Sequence, residues 1–114
     1  MSVIAPFPGP RDRRAVATFD RRELMKILDL YGRMVAAGHW RDYAIGFTAD
    51  AAVFAAFRRT TERPEIRIEK RPQLRLKQGA FALVSENGAV LKRGHELQPV
   101  LAPLERRLMR LVED

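Results

Sequence analysis

The apolar residues between Phe19 and Gly38 recur at spacings of three and four, which predicts an amphipathic helix. Asp20 is suited to the N-cap position and Glu23 stands three residues later, a pair that is typical of a capping box. Gly38 is suited to the left-handed residue that ends a helix. The predicted buried side consists of Leu24, Ile27, Leu28, Tyr31, Met34 and Val35. The predicted solvent side carries Arg21, Arg22, Lys26, Asp29 and Arg33.

Three segments after this helix are predicted to be β-strands, and the first and third alternate between apolar and polar or small residues. They are residues 43–48, 52–60 and 65–71. The second is rich in alanine and is also compatible with a helix, but its length and its spacing from the first favour a strand. Pro72 ends the third strand, and residues 73–79 are predicted to form a basic loop or a weak edge strand.

The clearest turn signal is Asn87-Gly88, which predicts a two-residue type I′ hairpin between strands at residues 80–86 and 89–93. Residues 95–101 are predicted to form no more than a short helical turn, and Pro103 suits the start of a last helix that ends near Val112. The order of elements predicts an α+β fold. An N-terminal amphipathic helix packs on an antiparallel sheet of four to five strands, and a C-terminal helix follows.

The length of 114 residues and the composition indicate one small domain without a membrane segment. Residues 1–18 combine three prolines with clustered arginines and lack the apolar stretch of a secretory signal, so we expect a disordered basic arm. Residues 19–114 are then the single α+β domain. The chain has no cysteine, which excludes disulfides and thiolate metal sites and fits the cytoplasmic location that we expect.

The formal net charge of +7 favours a polyanionic partner, because neutralised phosphates release counterions. Of the 21 basic residues 17 are arginine, a bias that codon usage in a G+C-rich genome also produces. Residues 58–77 hold eight basic residues and three glutamates, a local net charge of +5. One interpretation is a phosphate-binding sheet face; the other is a solvated face in which Glu65 and Glu69 pair with Arg67 and Arg71. The predicted phosphate contacts are Arg58, Arg59, Arg67, Lys70, Arg71, Lys92 and Arg93.

The string Trp40-Arg41-Asp42-Tyr43 also supports two interpretations. Trp40 and Tyr43 are suited to stack a base or to anchor a protein partner. They are equally suited to close the core where the helix meets the sheet, with Asp42 pairing to Arg41 or Arg33.

Catalytic and metal-binding motifs are absent from the sequence, so we expect a protein that is not an enzyme and needs no cofactor or metal. The two histidines, His39 and His95, fall where elements are predicted to join. His39 with Asp42 is the nearest approach to a base–carboxylate pair, and His39 with His95 the nearest to a metal site. Either arrangement needs further ligands or partners that the sequence does not supply.

Four strings of the chain resemble an uncharacterised bacterial family, a domain of unknown function found in small cytoplasmic proteins. The resemblance spans roughly Phe19 to Leu101 and implies no activity, cofactor or catalytic residue. The strings are Tyr31–Gly38, Trp40–Ile45, Arg67–Pro72 and Leu91–Gly94.

The sequence therefore leads to two functional hypotheses. The first is a small non-enzymatic module that binds nucleic acid, as RNA or a single strand, or regulates a nucleic-acid machine. The second is a protein-interaction module, a homodimer or an adaptor, that uses a sheet edge near Pro72 or the apolar stripe of Leu104–Val112. An enzyme would instead require an enclosed pocket that joins His39, Asp42 and a third polar side chain.

Overall fold

The structure, a computed structural model, describes residues 16–59 and 63–113, the last three without their side chains. Of the predicted arm, residues 1–18, only residues 16–18 belong to the described part of the chain. Ala17 is buried, and its N–H donates to the Thr48 carbonyl at 2.9 Å. The packed part of the chain therefore reaches at least to Ala17.

Helix α1 (Arg21–Ala36) occupies the predicted segment and begins with the predicted chemistry. The Asp20 carboxylate accepts from the Glu23 N–H, and the Glu23 carboxylate accepts from the Asp20 N–H, both at 2.8 Å. These reciprocal bonds complete a capping box and satisfy two N–H groups that a helix start leaves without partners.

The end of α1 also follows the prediction. Gly38 has φ 86, the left-handed conformation that glycine adopts without steric cost. The Gly38 N–H donates to the Val35 carbonyl and the His39 N–H to the Met34 carbonyl, each at 2.9 Å. This pair of bonds is a Schellman motif.

Five strands form one antiparallel sheet in which spatial order follows chain order. The Ala-rich segment is a strand, as predicted. The third strand is the central one, so the turn that follows it at Pro72 does not lie at a sheet edge, and the edge predicted there is wrong. The strands are β1 (Asp42–Phe47), β2 (Ala52–Phe57), β3 (Ile66–Lys70), β4 (Phe81–Ser85) and β5 (Val90–Gly94).

The β4–β5 hairpin is confirmed, but its predicted two-residue turn is wrong. The Gly88 N–H donates to the Ser85 carbonyl at 2.9 Å, and the Ser85 N–H donates to the Ala89 carbonyl at 2.8 Å. Gly88 has φ 90. This is the three-residue loop in which a turn is followed by a left-handed glycine, so Glu86 belongs to the loop as well.

Helix α2 (Leu97–Glu113) begins six residues before the predicted start at Pro103, which lies inside the helix. A proline there lacks the N–H that would bond the carbonyl of the residue four positions earlier. Leu97, Val100 and Leu101 are all buried in this first part of the helix. The burial of these three side chains offsets the lost hydrogen bond.

The two helices cover the same side of the sheet and are tied to each other. The Arg33 guanidinium of α1 donates two hydrogen bonds to the Glu105 carboxylate of α2, at 2.8 and 3.0 Å. Phe54, Ile68 and Leu83 form one row across the middle strands and lie in the core under the helices. Leu104 and half-buried Leu108 of α2 also pack into this core, so the predicted apolar stripe of α2 faces inward where its side chains are described.

Candidate nucleic-acid interface

The other side of the sheet, the open face, is covered by no helix in the described part of the chain. Alternation along each strand and the register between strands assign residues to this face. One row is Ala44, Ala55, Arg67 and Val84, and the next is Gly46, Val53, Glu69, Ala82 and Arg93.

Two of the predicted phosphate contacts meet on the open face around one carboxylate. Arg67 Nε and Arg71 Nε each lie 3.3 Å from a different oxygen of Glu69. The carboxylate belongs to the one buried charged residue within the described chain, at 8% exposure. This is the pairing of Glu69 with Arg67 and Arg71 that the solvated-face interpretation predicted, and each guanidinium carries further N–H donors on its Nη groups.

Arg93 joins these two arginines on the open face. It stands opposite Ala82, which stands opposite Glu69, so Arg93 lies two strands from the carboxylate. Arg93 Nη1 donates to the Gly79 carbonyl at 3.4 Å. The face therefore gathers three guanidinium groups and one carboxylate, a local net charge of +2 at pH 7.

Two other predicted contacts, Lys70 and Lys92, lie on the helix side of the sheet. Lys70 Nζ is 2.8 Å from Glu23 Oε1, and both side chains are less than one-fifth exposed. Lys92 is exposed on the edge strand β5, where it stands opposite the core residue Leu83. Neither lysine shares a face with Arg67, Arg71 and Arg93.

Arg58 and Arg59 follow β2 and lie at one end of the sheet. Arg58 is 3.9 Å from the Glu86 carboxylate in the hairpin loop, and Arg63 approaches the same carboxylate at 3.9 Å. A cavity of about 270 Å³ is lined by Gly38, His39, Arg58 and Arg59. Asp42 does not line this cavity.

Trp40 is buried, with 2% exposure, and its indole Nε1 donates to Glu65 Oε1 at 2.7 Å. Its ring is therefore not accessible to a base, and the core interpretation of Trp40 is the one that the structure bears out. Glu65 also forms an ion pair with Arg107 of α2, in which Oε2 lies 3.1 Å from Nη2. This Trp40–Glu65–Arg107 cluster joins the end of α1, the start of β3 and α2.

Tyr43 lies on the helix side of β1 and is 42% exposed. Its ring stacks on Phe54 with the centroids 5.2 Å apart and meets the edge of Tyr31 at 4.9 Å. Asp42 accepts from the Tyr43 N–H at 2.8 Å and forms no described ion pair with Arg41 or Arg33. The two predicted aromatic contacts are thus both on the side of the sheet away from the three arginines.

His39 extends the Trp40–Glu65–Arg107 cluster. Its Nδ1 lies 2.9 Å from Arg107 Nη2, and because a guanidinium only donates, Nδ1 is the acceptor and His39 is neutral. The hydrogen is then on Nε2, which is buried without a partner among the described residues. Burial and the nearby Arg107 cation lower the pKa of His39 below 6.5.

The histidines do not form the arrangements considered from the sequence. His39 bonds Arg107 rather than Asp42, whereas His95 Nδ1 lies 3.0 Å from the Arg75 carbonyl. Within residues 16–59 and 63–113, no three side chains of His, Asp or Glu form a group that could hold a metal ion.

The structure has a second basic surface that the sequence did not predict, because its residues were assigned only to the solvent side of the first helix. A groove of about 940 Å³ runs between α1 and α2. Arg21, Arg22 and Lys26 line it, and Lys26 Nζ donates to Gln98 Oε1 at 3.2 Å. Asp29 and the Arg33–Glu105 pair line it too, so opposite charges are mixed along its length.

Neither described helix has the length and apolar composition that crossing a bilayer requires. A search of curated proteins and a search of solved structures returned no match for this chain. A family model matches residues 17–101, nearly the segment over which the sequence resemblance was found. The chain belongs to that family, which is described as a protein of unknown function, DUF2794.

Proposed function

We propose that this protein is a non-enzymatic module that binds single-stranded nucleic acid, RNA or DNA, on its open face. Arg67, Arg71 and Arg93 contact the phosphates. The observation that carries the proposal is that these three side chains lie together on the one sheet face that no described helix covers. A sheet face that carries cations is a surface along which single strands bind.

The side chains around the arginines favour close approach of a nucleic-acid backbone. Ala44, Gly46, Ala55 and Ala82 occupy the same face and project little or nothing above it, and Val53 and Val84 are its larger apolar side chains. Arginine side chains are longer than these neighbours, so a backbone on this face can reach the guanidinium groups. Guanidinium groups match phosphate oxygens with two parallel N–H donors, which makes arginine well suited to this contact.

The arrangement favours phosphate contact over recognition of base sequence. Trp40 is buried, and Tyr43 lies on the helix side against Phe54. Base stacking on aromatic rings adds affinity in many single-strand binding proteins. Neither Trp40 nor Tyr43 can stack a base on the open face. We expect weak sequence preference and a strong dependence of affinity on salt.

The test is fluorescence anisotropy with labelled random single-stranded RNA, single-stranded DNA and duplex DNA over a range of salt concentrations. Arg93→Gln removes one proposed contact and leaves both arginine bonds to Glu69 in place. Arg106→Gln removes the same charge at an exposed position of α2, on the opposite side of the sheet.

We expect Arg93→Gln to weaken binding and to reduce the slope of log K against log salt by about 0.7, the value for one phosphate contact with a single strand. Arg106→Gln should change the slope much less. No binding at low ionic strength would refute the proposal. An equal effect of both variants would instead assign the binding to overall charge.

A further inference from the structure

The two edge strands of the sheet differ in how they are protected against pairing with another chain. β5 carries Lys92 and Arg93, and Leu91 is an extra residue that shifts its register against β4. Charges and bulges of this kind prevent edge-to-edge association. β1 has no lysine, arginine, proline or bulge between Asp42 and Phe47, and it pairs with β2 without a shift. Among the described residues, β1 is the edge strand without a bulge, and its one charged residue, Asp42, stands at its first position.

The side chains of β1 also form an exposed apolar row. Tyr43, Ile45 and Phe47 alternate along the helix side of the strand, and Phe47 is half exposed. Ile45 is half-buried and packs against the core. A regular edge strand with such a row is the surface that natural sheets normally shield.

We propose that β1 pairs with β1 of a second copy of this chain, antiparallel and centred on Ile45. The two five-stranded sheets then form one continuous sheet across a two-fold axis. This register keeps each residue on its own face and sets Tyr43 opposite the second copy's Phe47. Cross-strand aromatic pairs of this kind stabilise antiparallel pairing.

Charge complementarity favours a second copy as the occupant. Arg41 precedes β1 and Asp50 follows it, both are exposed, and neither has an ion pair with a described residue. Antiparallel pairing brings Arg41 of each copy next to the turn that holds Asp50 of the other. Each chain carries a net charge of +7, so two copies repel each other over most of their surfaces. Because β1 contains no lysine or arginine, two copies of this strand can pair without placing cations opposite each other.

The extent of pairing is limited at one end of the strand. The Thr48 carbonyl already accepts from the Ala17 N–H at 2.9 Å, so the new ladder ends before Thr48. The open face is unaffected, because the second copy joins at the edge of the sheet. The proposed nucleic-acid face would thus continue across both copies, although the dimer does not depend on it.

The first test is the mass of the full chain in solution, measured by sedimentation equilibrium over a concentration series. We expect a monomer–dimer equilibrium. Arg41→Glu should weaken dimerisation on the order of tenfold, since two ion pairs become repulsive in a symmetric dimer. Adding Asp50→Arg to that variant should restore the wild-type constant. A dimer that is insensitive to both changes would refute this interface.

The second test uses the absence of cysteine from the chain. Ile45→Cys places one thiol from each copy across the proposed axis, at a separation that a disulfide spans. Leu91→Cys, on the protected edge, is the matched control. We expect oxidation to give a disulfide-linked dimer from Ile45→Cys and little from Leu91→Cys. A monomer at every concentration, with no selective cross-link, would overturn the proposal in favour of another occupant, such as residues 1–15 of the same chain.

Discussion

The Lys70 ammonium lies 2.8 Å from the Glu23 carboxylate, and this ion pair joins the end of β3 to the first turn of α1. The same carboxylate oxygen accepts from the Asp20 N–H. One glutamate thus closes the capping box and fixes the helix to the central strand. Lys70, which the sequence predicted as a phosphate contact, has a partner on the helix side instead.

We expect Lys70→Met to lower the free energy of unfolding by about 1–2 kcal/mol, because a largely buried charge-assisted hydrogen bond is lost. Nucleic-acid affinity should change little. Lys92→Met, at an exposed site, removes the same charge and should leave stability nearly unchanged. Urea denaturation and anisotropy separate the two effects. Lost affinity at unchanged stability would place Lys70 in the interface.

Glu69 offers a test in which binding should improve. Glu69→Gln raises the net charge of the open-face cluster from +2 to +3 and leaves one acceptor oxygen where Arg67 and Arg71 now have two. We expect severalfold tighter binding of single strands at low salt, measured by anisotropy. Glu96→Gln makes the same charge change at an exposed site beside α2. Equal gains in both variants would mean that overall charge, rather than the open face, determines affinity.

Local chemistry explains what the sequence predicted correctly. The capping box at Asp20 and the left-handed Gly38 each depend on residues a few positions apart, so both ends of α1 followed from short-range rules. The start of α2 did not. Pro103 is a strong local signal for a helix start, but burial of Val100 and Leu101 stabilises an earlier turn, and that burial depends on the whole sheet.

The candidate site shows the same division. Strand alternation in the sequence placed Glu65, Arg67, Glu69 and Arg71 on one face, and by the same period Lys70 belongs with Ile66 and Ile68 on the other. The position predicted for Glu65 is wrong, because Glu65 precedes β3 and bonds Trp40 and Arg107 on the helix side. Grouping Lys70 with the arginines by charge alone was the error. The Trp40–Glu65 bond spans 25 residues, and no spacing rule indicates it. Sequence pattern thus assigns faces within a strand, whereas long-range partners require the fold.

Trp40 is the only tryptophan in the chain, so its fluorescence reports on one site. Because the ring is buried, we expect blue-shifted emission and little quenching by iodide. Saturating single-stranded RNA should leave the emission nearly unchanged, since a base cannot stack on a buried ring. Strong quenching on binding, with the fold intact by circular dichroism, would contradict the core position of Trp40.

His39 should make stability depend on pH. Its pKa is lowered in the folded protein by burial and by Arg107, so the unfolded chain takes up the proton first as pH falls. Its contribution to stability is therefore complete above about pH 6.5, the ordinary pKa, and is lost progressively as the pH falls below that value.

We expect the free energy of unfolding to fall less between pH 7.5 and pH 5 in His39→Gln than in the wild type. Urea denaturation at both pH values gives the comparison. His95→Gln is the control for replacing a histidine, because it leaves His39 and its contact with Arg107 in place. Identical pH dependence in His39→Gln and the wild type would rule out His39 as the source.

Gly79 holds the loop before β4 against the end of β5. It has φ 105, and an added Cβ would overlap the Gly94 carbonyl group. The Gly79 carbonyl also accepts from Arg93, one of the proposed phosphate contacts. Gly88 provides the matched comparison, because it has φ 90 but nothing within 4 Å of an added Cβ.

Gly88→Ala should cost about 1–2 kcal/mol, the strain of a left-handed alanine. Gly79→Ala should cost more, because the backbone of the loop or of β5 must also move. Urea denaturation measures both. Since that movement displaces the carbonyl that Arg93 bonds, Gly79→Ala should also weaken single-strand binding under conditions where it remains folded, whereas Gly88→Ala should not. Equal stability losses, with equal binding, would show that the contact between Gly79 and β5 does not fix the position of Arg93.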